Sequence, residues 1–126
     1  MTTHTMIVIK EKNKYLQYFD ERWNCLLFPN TKVITNTEEE IISQLKEKYN
    51  LEIDELKLVM EKTHSKYSES HKEMREYHHL FYTAIRKNKN ENQQFYSMEE
   101  LEKNERVMQL NKDILEFIKE IEKTNS

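Results

Sequence analysis

The chain has 126 residues, 37% hydrophobic and 34% charged, which is the size of one ordinary domain with a single core under a heavily solvated surface. Its 20 basic and 23 acidic residues are mixed along the whole length for a formal net charge of −3, so no basic block exists to track a nucleic-acid backbone or an anionic membrane. The lone Cys25 excludes an internal disulfide and suits a reducing, cytoplasmic setting, no apolar run has the length of a secretion signal or a membrane span, and the absence of glycine removes the Walker loop, the dinucleotide fingerprint and the nucleophile elbow.

In chain order, "MIVIK" (6–10) and "YLQYF" (15–19) are β-branched and aromatic runs joined by Glu11-Lys12-Asn13-Lys14, which predicts a hairpin. "NCLLFP" (24–29) reads as a third strand buried on both faces and ended by Pro29. "NTEEEIISQLKEKYNL" predicts a helix with Asn36 or Thr37 as N-cap, Glu40 closing a capping box and an acidic first turn that suits the helix dipole. Ile41, Ile42, Leu45 and Tyr49 fall on one side of it, and Glu40, Gln44 and Glu47 line a neighbouring stripe.

Two long strands follow, over Leu56 to Lys66 and Glu76 to Ile85, alternating in polarity and paired as an antiparallel hairpin around the polar loop "YSESHKEMR". "FYSMEEL" gives a short strand and a second capping box, Ser97 to Glu100. Val107, Leu110, Ile114, Phe117, Ile118 and Ile121 then predict one apolar face of a helix running to about Lys123. The layout is α+β, with helices packed on a mixed sheet in a single domain.

That order, with "LFPN" before a capped helix and "YHHLFYTAI" as a late central strand, resembles the Nudix hydrolase family over nearly the whole chain, up to "SMEEL". The family's signature is Gly, five residues, Glu, seven residues, then Arg-Glu-hydrophobic-any-Glu-Glu-any-Gly-hydrophobic; its second half falls on "SQLKEKYNL". Ser43 stands at the arginine and Gln44 at the first helix glutamate. Leu45 keeps the hydrophobic position and Glu47 keeps one glutamate of the pair. Lys48 replaces the other, Asn50 replaces the glycine, and Leu51 keeps the last apolar position. Asn30 and Thr31 follow Pro29 where two glycines are usual.

The resemblance implies attack of water on a diphosphate linkage, with helix carboxylates holding magnesium or manganese. Here the ligand set reduces to Glu47 and Glu40, with Gln44 offering a neutral carbonyl. Lys48 adds a positive charge that repels a cation a few Å away by roughly 1–4 kcal/mol. The expectation is an eroded catalytic box on a scaffold kept for binding a nucleotide or another phosphorylated small molecule, with Lys48 contacting the phosphate. Two readings stay open beside it: a weakly active magnesium-dependent hydrolase of nucleoside diphosphate derivatives, and a protein-interaction module, self-associating as a homodimer, with no small ligand.

Other candidates are Trp23 for ligand contact and Arg22 and Arg75 as phosphate partners. Glu69, Glu73 and Glu76 are carboxylates of the loop region that would assist the box. His64, His71, His78 and His79 are close in sequence, but strand alternation sends His78 and His79 to opposite faces, so the favoured reading is a hydrogen-bonded sheet histidine and surface histidines instead of a zinc site.

Overall fold

In the computed structural model, residues 2–33, 37–68, 72–91 and 93–124 are described. In chain order the elements are β1 (Thr2–Val8), β2 (Lys10–Glu11), β3 (Lys14–Asp20), β4 (Cys25–Leu27), β5 (Asn30–Val33), α1 (Glu38–Tyr49), β6 (Ile53–Ser68), β7 (Glu73–Arg86), β8 (Gln94–Ser97), α2 (Met98–Glu102), α3 (Glu105–Leu110) and α4 (Lys112–Thr124). They divide into two compact units that alternate along the chain, Met1–Ile9 with Pro29–Lys89 and Lys10–Phe28 with Asn90–Ser126. No helix among the described residues is long and apolar enough to cross a membrane.

The first unit is a mixed sheet in the order β5-β1-β7-β6, with β1 parallel to β7 and the other pairs antiparallel. Alternation along β1 sends Thr5 and Ile7 to the face shared with their register partners Leu80 and Tyr82, and all four are buried. The buried Thr5 and Thr31 hydroxyls satisfy each other across β1 and β5, which spares both an unpaired polar group. Helix α1 starts where expected: Thr37, extended at φ −100°, accepts the Glu40 N–H at 3.2 Å. It ends at Asn50, left-handed at φ 53°, whose N–H donates to Lys46 O at 2.9 Å. Ile41 and Leu45 are buried beneath it; Ile42, grouped with them by spacing, is exposed instead.

The β6–β7 hairpin forms as expected, but β6 carries two bulges. Asp54 and Lys57 pair with Ile85 and Thr83, leaving one extra residue where Glu55 takes φ 53°, and Leu58 and Met60 pair with adjacent Tyr82 and Phe81, leaving Val59 extra. The expected alternation of Leu56, Leu58 and Met60 breaks there, and Leu58 and Val59 are both exposed.

In the second unit, β3 pairs with β2, β4 and β8. The predicted hairpin is shorter than its apolar runs: only Lys10 and Glu11 pair back, to Tyr15 and Lys14, because residues up to Val8 pair with β7 and β5 in the first unit. Lys12 and Asn13, at φ 51° and 64°, form the two-residue turn whose handedness matches strand twist. The stretch 24–29 is not buried throughout: Cys25 and Phe28 are, whereas Asn24 is exposed and left-handed and Leu26 and Leu27 are half-buried.

Ser97 and Glu100 form both halves of the capping box of α2. The expected single C-terminal helix is two, α3 and α4, divided at Asn111. Asn111 is buried, and its amide donates to Val107 O at 3.1 Å and to Leu26 O at 3.2 Å, which diverts the chain from an uninterrupted helical run. Ile114, Leu115, Phe117 and Ile118 bury the apolar face of α4, each worth roughly 1.5–3 kcal/mol. Near its C-terminus Glu122 accepts from Tyr15 and from Lys10 Nζ, the latter at 2.9 Å; these bonds hold the Glu122 carboxyl below its usual range.

Candidate functional site

Three- and four-residue spacing on α1 places Glu40, Gln44 and Glu47 along one stripe, with Glu40 and Gln44 half-buried and Glu47 exposed. Lys48 projects beside them from the last turn. Its Nζ donates to Asn30 O at 3.4 Å and to Asn30 Oδ1 at 3.3 Å, and lies 5.0 Å from the centre of the Tyr49 ring. The Tyr49 hydroxyl donates to the same Asn30 O at 3.3 Å and accepts the Asn30 N–H at 3.2 Å. The end of α1 therefore clamps the residue after Pro29, while Pro29 O accepts the Ile7 N–H at 2.9 Å.

The positions where the family keeps glycine behave differently from one another. Asn30 and Thr31 run as ordinary strand, paired with Met6 and Thr5. Asn50 keeps the left-handed backbone a glycine would supply, at φ 53°. Asn88, not singled out from its charged loop, secures that turn: its Nδ2 donates to Asn50 O and its Oδ1 accepts the Glu52 N–H, both at 2.9 Å. No local sequence signal marks it, because the contact joins segments 36 or more residues apart.

Among the described residues no three of His, Cys, Asp and Glu converge as a set able to hold a metal ion. With a lysine ammonium at one box position and an amide at another, this donor set does not fit a divalent cation. Glu73 and Glu76 are exposed residues of β7, not of a loop. Glu69, His71 and Asn36 lie outside the described residues, as do the side chains of His64 and Arg75.

His78 and His79 do face opposite ways. His78 Nε2 lies 3.7 Å from Glu61 Oε2, whereas the His79 ring meets His4 edge-on at 5.8 Å between centroids. His4 was not among the candidates; the parallel register of β1 on β7 brings it to His79. Burial, and then the Lys32 charge, hold the His4 imidazole below its usual pKa range.

In the second unit, the Arg22 guanidinium stacks 5.5 Å above the Trp23 ring. The Trp23 N–H donates to Asp20 Oδ1 at 3.1 Å, and Trp23 O accepts from Arg106 Nε at 3.2 Å. Trp23 as a residue is 41% exposed, although its backbone is fixed at both N–H and O. Burial pushes the nearby Cys25 thiol up, against a nucleophilic thiolate.

No family model matches the sequence, and no curated protein matches it. Solved structures do. A Nudix hydrolase from Nitrosomonas europaea superposes with a TM-score of 0.62 at 13% identity, covering 90% of this chain and 87% of that one. The Ap4A hydrolase of C. elegans gives 0.60 at 11% identity over 100% of this chain and 99% of that one. The mutator MutT protein of Bacillus halodurans gives 0.60 at 12% identity over 79% and 71%. The chain has the Nudix fold. In this Nudix fold α1 carries the residues matched to the box, and the identities, at 11–13%, concern the fold alone.

The opposite flank of α1 in this Nudix-fold chain borders a groove of about 390 Å³ formed with Glu52, Ile53 and Lys87. Lys46 and Glu52 form an ion pair on its rim at 3.4 Å.

Proposed function

We propose that the chain binds a nucleotide or another phosphorylated small molecule and does not hydrolyse it efficiently. The observation that carries this reading is the Lys48 ammonium at the box, directed to Asn30 O and Oδ1. An ammonium has three N–H donors. Lys48 is exposed and its contacts to Asn30 are long, at 3.3 and 3.4 Å, so a ligand oxygen can join or replace Asn30 as acceptor, and Lys48 then supplies positive charge to a phosphate without activating water. Supporting it, the C. elegans protein of the same fold is named for its action on Ap4A, a nucleotide. A reducing cytoplasm, where Cys25 stays a thiol, belongs to the same reading.

The test is thermal unfolding with a panel of nucleoside diphosphates and their derivatives, in chelator and in magnesium. A true ligand present at about 100 times its Kd adds about 2.7 kcal/mol. The expected result is stabilisation that survives chelator and disappears in Lys48→Glu. Metal-dependent phosphate release that is lost in Glu47→Gln would establish the hydrolase reading instead, and silence across the panel would favour the interaction module.

A further inference from the structure

Bases that are scattered along the sequence are gathered by strand register. In the sheet of the first unit, Lys32 of β5 stands opposite His4 of β1, His4 opposite His79 of β7, and His79 opposite Lys62 of β6. Directly opposed residues share a face, so these bases form one row straight across four strands. At about 4.8 Å per strand the row is about 14 Å long. The shared face is visible at its centre, where the His4 and His79 rings meet edge-on and the Lys32 charge acts on His4.

Packing alone does not favour such a row. Like charges directly opposite one another destabilise a sheet, and a chain with 23 acidic residues against 20 basic has carboxylates enough to interrupt it. No carboxylate stands at any of its positions. The next row on the same face, Asn30, Met6, Phe81 and Met60, carries no charge. Glu61, the sequence neighbour of Lys62, belongs to the opposite face, 3.7 Å from His78.

Lys32 and Lys62 are exposed and the two imidazoles half-buried, so both ends of the row are open to solvent. Its β5 end adjoins the box. Asn30, whose Oδ1 accepts from Lys48 Nζ at 3.3 Å, is two residues before Lys32 and on the same face. Positive charge therefore continues from Lys48 for about 7 Å along β5 and then across the sheet. One phosphate group reaches two neighbouring bases at most, whereas a chain of phosphates can follow the row. Nucleic acid fits less well, because the row is short and the chain as a whole has a net charge of −3.

We propose that this row binds the phosphate chain of an oligophosphate without a metal ion, and that His4 takes up a proton from solvent as the ligand enters. The inference rests on the phosphate reading given above and adds where the ligand's charge is met and how it is coupled to protons. His4 is faced by Lys32 from β5 and by His79 from β7, with Lys62 of β6 beyond His79. Burial and Lys32 keep His4 neutral in the free protein; a phosphate laid beside it favours the imidazolium instead. By linkage, binding then tightens as pH falls.

Isothermal titration calorimetry of the full chain in chelator, with inorganic tripolyphosphate and inorganic phosphate as probes, tests this. Tripolyphosphate is expected to bind at least about tenfold tighter than phosphate. Lys32→Glu should weaken it about tenfold and His4→Gln about threefold. Lys103→Glu, an equal change of charge at an exposed residue of the second unit, should leave it within about twofold. Lys32→Glu replaces a like-charge contact with an opposite one, so its thermal midpoint should not fall, and lost binding is not lost folding. The His4 ring proton resonance, identified by its loss in His4→Gln, should titrate about one pH unit higher in saturating tripolyphosphate. Wild-type binding in Lys32→Glu and His4→Gln, with loss in Lys48→Glu, overturns the row and leaves the box reading standing. Wild-type binding in Lys48→Glu, with loss in Lys32→Glu, supports the row and overturns the part given to Lys48. No binding of tripolyphosphate, equal affinity for the two probes, an unmoved His4 resonance, or poly-glutamate binding as tightly as tripolyphosphate overturns the proposal.

Discussion

At the scale of residues, the chain makes left-handed turns without glycine. Among the described residues six take φ near 50–65°: Lys12, Asn13, Asn24, Asn50, Glu55 and Lys72. Asparagine tolerates that region through its short polar side chain; lysine and glutamate carry a penalty of about 1–2 kcal/mol. Lys12→Gly and Glu55→Gly remove the penalty but raise the unfolded chain's entropy by about 0.4–1 kcal/mol, so each is expected to stabilise by about 0.5–1 kcal/mol in urea titration. A different residue effect concerns pH. With the folded pKa of His4 lowered by burial and Lys32, the unfolded chain takes up the proton first. The contribution of neutral His4 is complete above the unfolded value of about 6.5 and lost as pH falls toward the folded one. His79, edge-on to His4, also faces this imidazole. Wild-type urea midpoints should drop between pH 7.5 and 5.5, and His4→Gln should drop less; equal drops would remove His4 as the cause. Of these left-handed positions Asn50 was open to sequence reading, because it stands where the family keeps glycine, but Glu55 was not, because its φ goes with a bulge opposite the partner strand.

At the scale of elements, what was legible was what is local. The cap at Thr37, the box Ser97–Glu100 and the span of α1 follow from side chains within one turn of the backbone they satisfy. Partners far apart in sequence were not legible: the runs at 6–10 and 15–19 were read as one hairpin, yet most of the first pairs with β7 through 70 or more residues of intervening chain. The division of the C-terminal helix has the same origin. Apolar spacing runs unbroken from Val107 to Ile121, and the break comes from the Asn111 amide reaching Leu26 O, 85 residues away in sequence. Asn111→Asp keeps the shape and removes the donor, leaving Leu26 O facing a carboxylate; the expected loss is about 1–3 kcal/mol by chemical denaturation. Asn111→Ala is expected to lose less, because it adds no repulsion. If both left stability unchanged, helix propensity and not the amide would set the boundary.

At the scale of the whole molecule, the box could be aligned residue by residue because it is linear, whereas the His4 and His79 pair and the groove beside α1 depend on strands and segments distant in sequence. The interleaving of the two units bears on how they unfold. The second unit is two segments, Lys10–Phe28 and Asn90–Ser126, which is 19 and 37 residues. A 56-residue body is marginal by itself. Were the first unit to melt alone, β3 and β8 would have to close a loop containing the 61 residues Pro29–Lys89. The length-dependent part of that closure, (3/2)RT ln n, is about 4 kcal/mol, a large fraction of the stability of a small domain. The chain is therefore expected to unfold as one cooperative domain. Two probes separate the units cleanly: the lone Trp23 belongs to the second, and all five histidines belong to the first. In urea, Trp23 emission and the histidine ring proton resonances should share one midpoint. Midpoints parted by about 0.5 M or more would show that the first unit opens while the second holds, and the loop cost would then be smaller than the chain-entropy estimate.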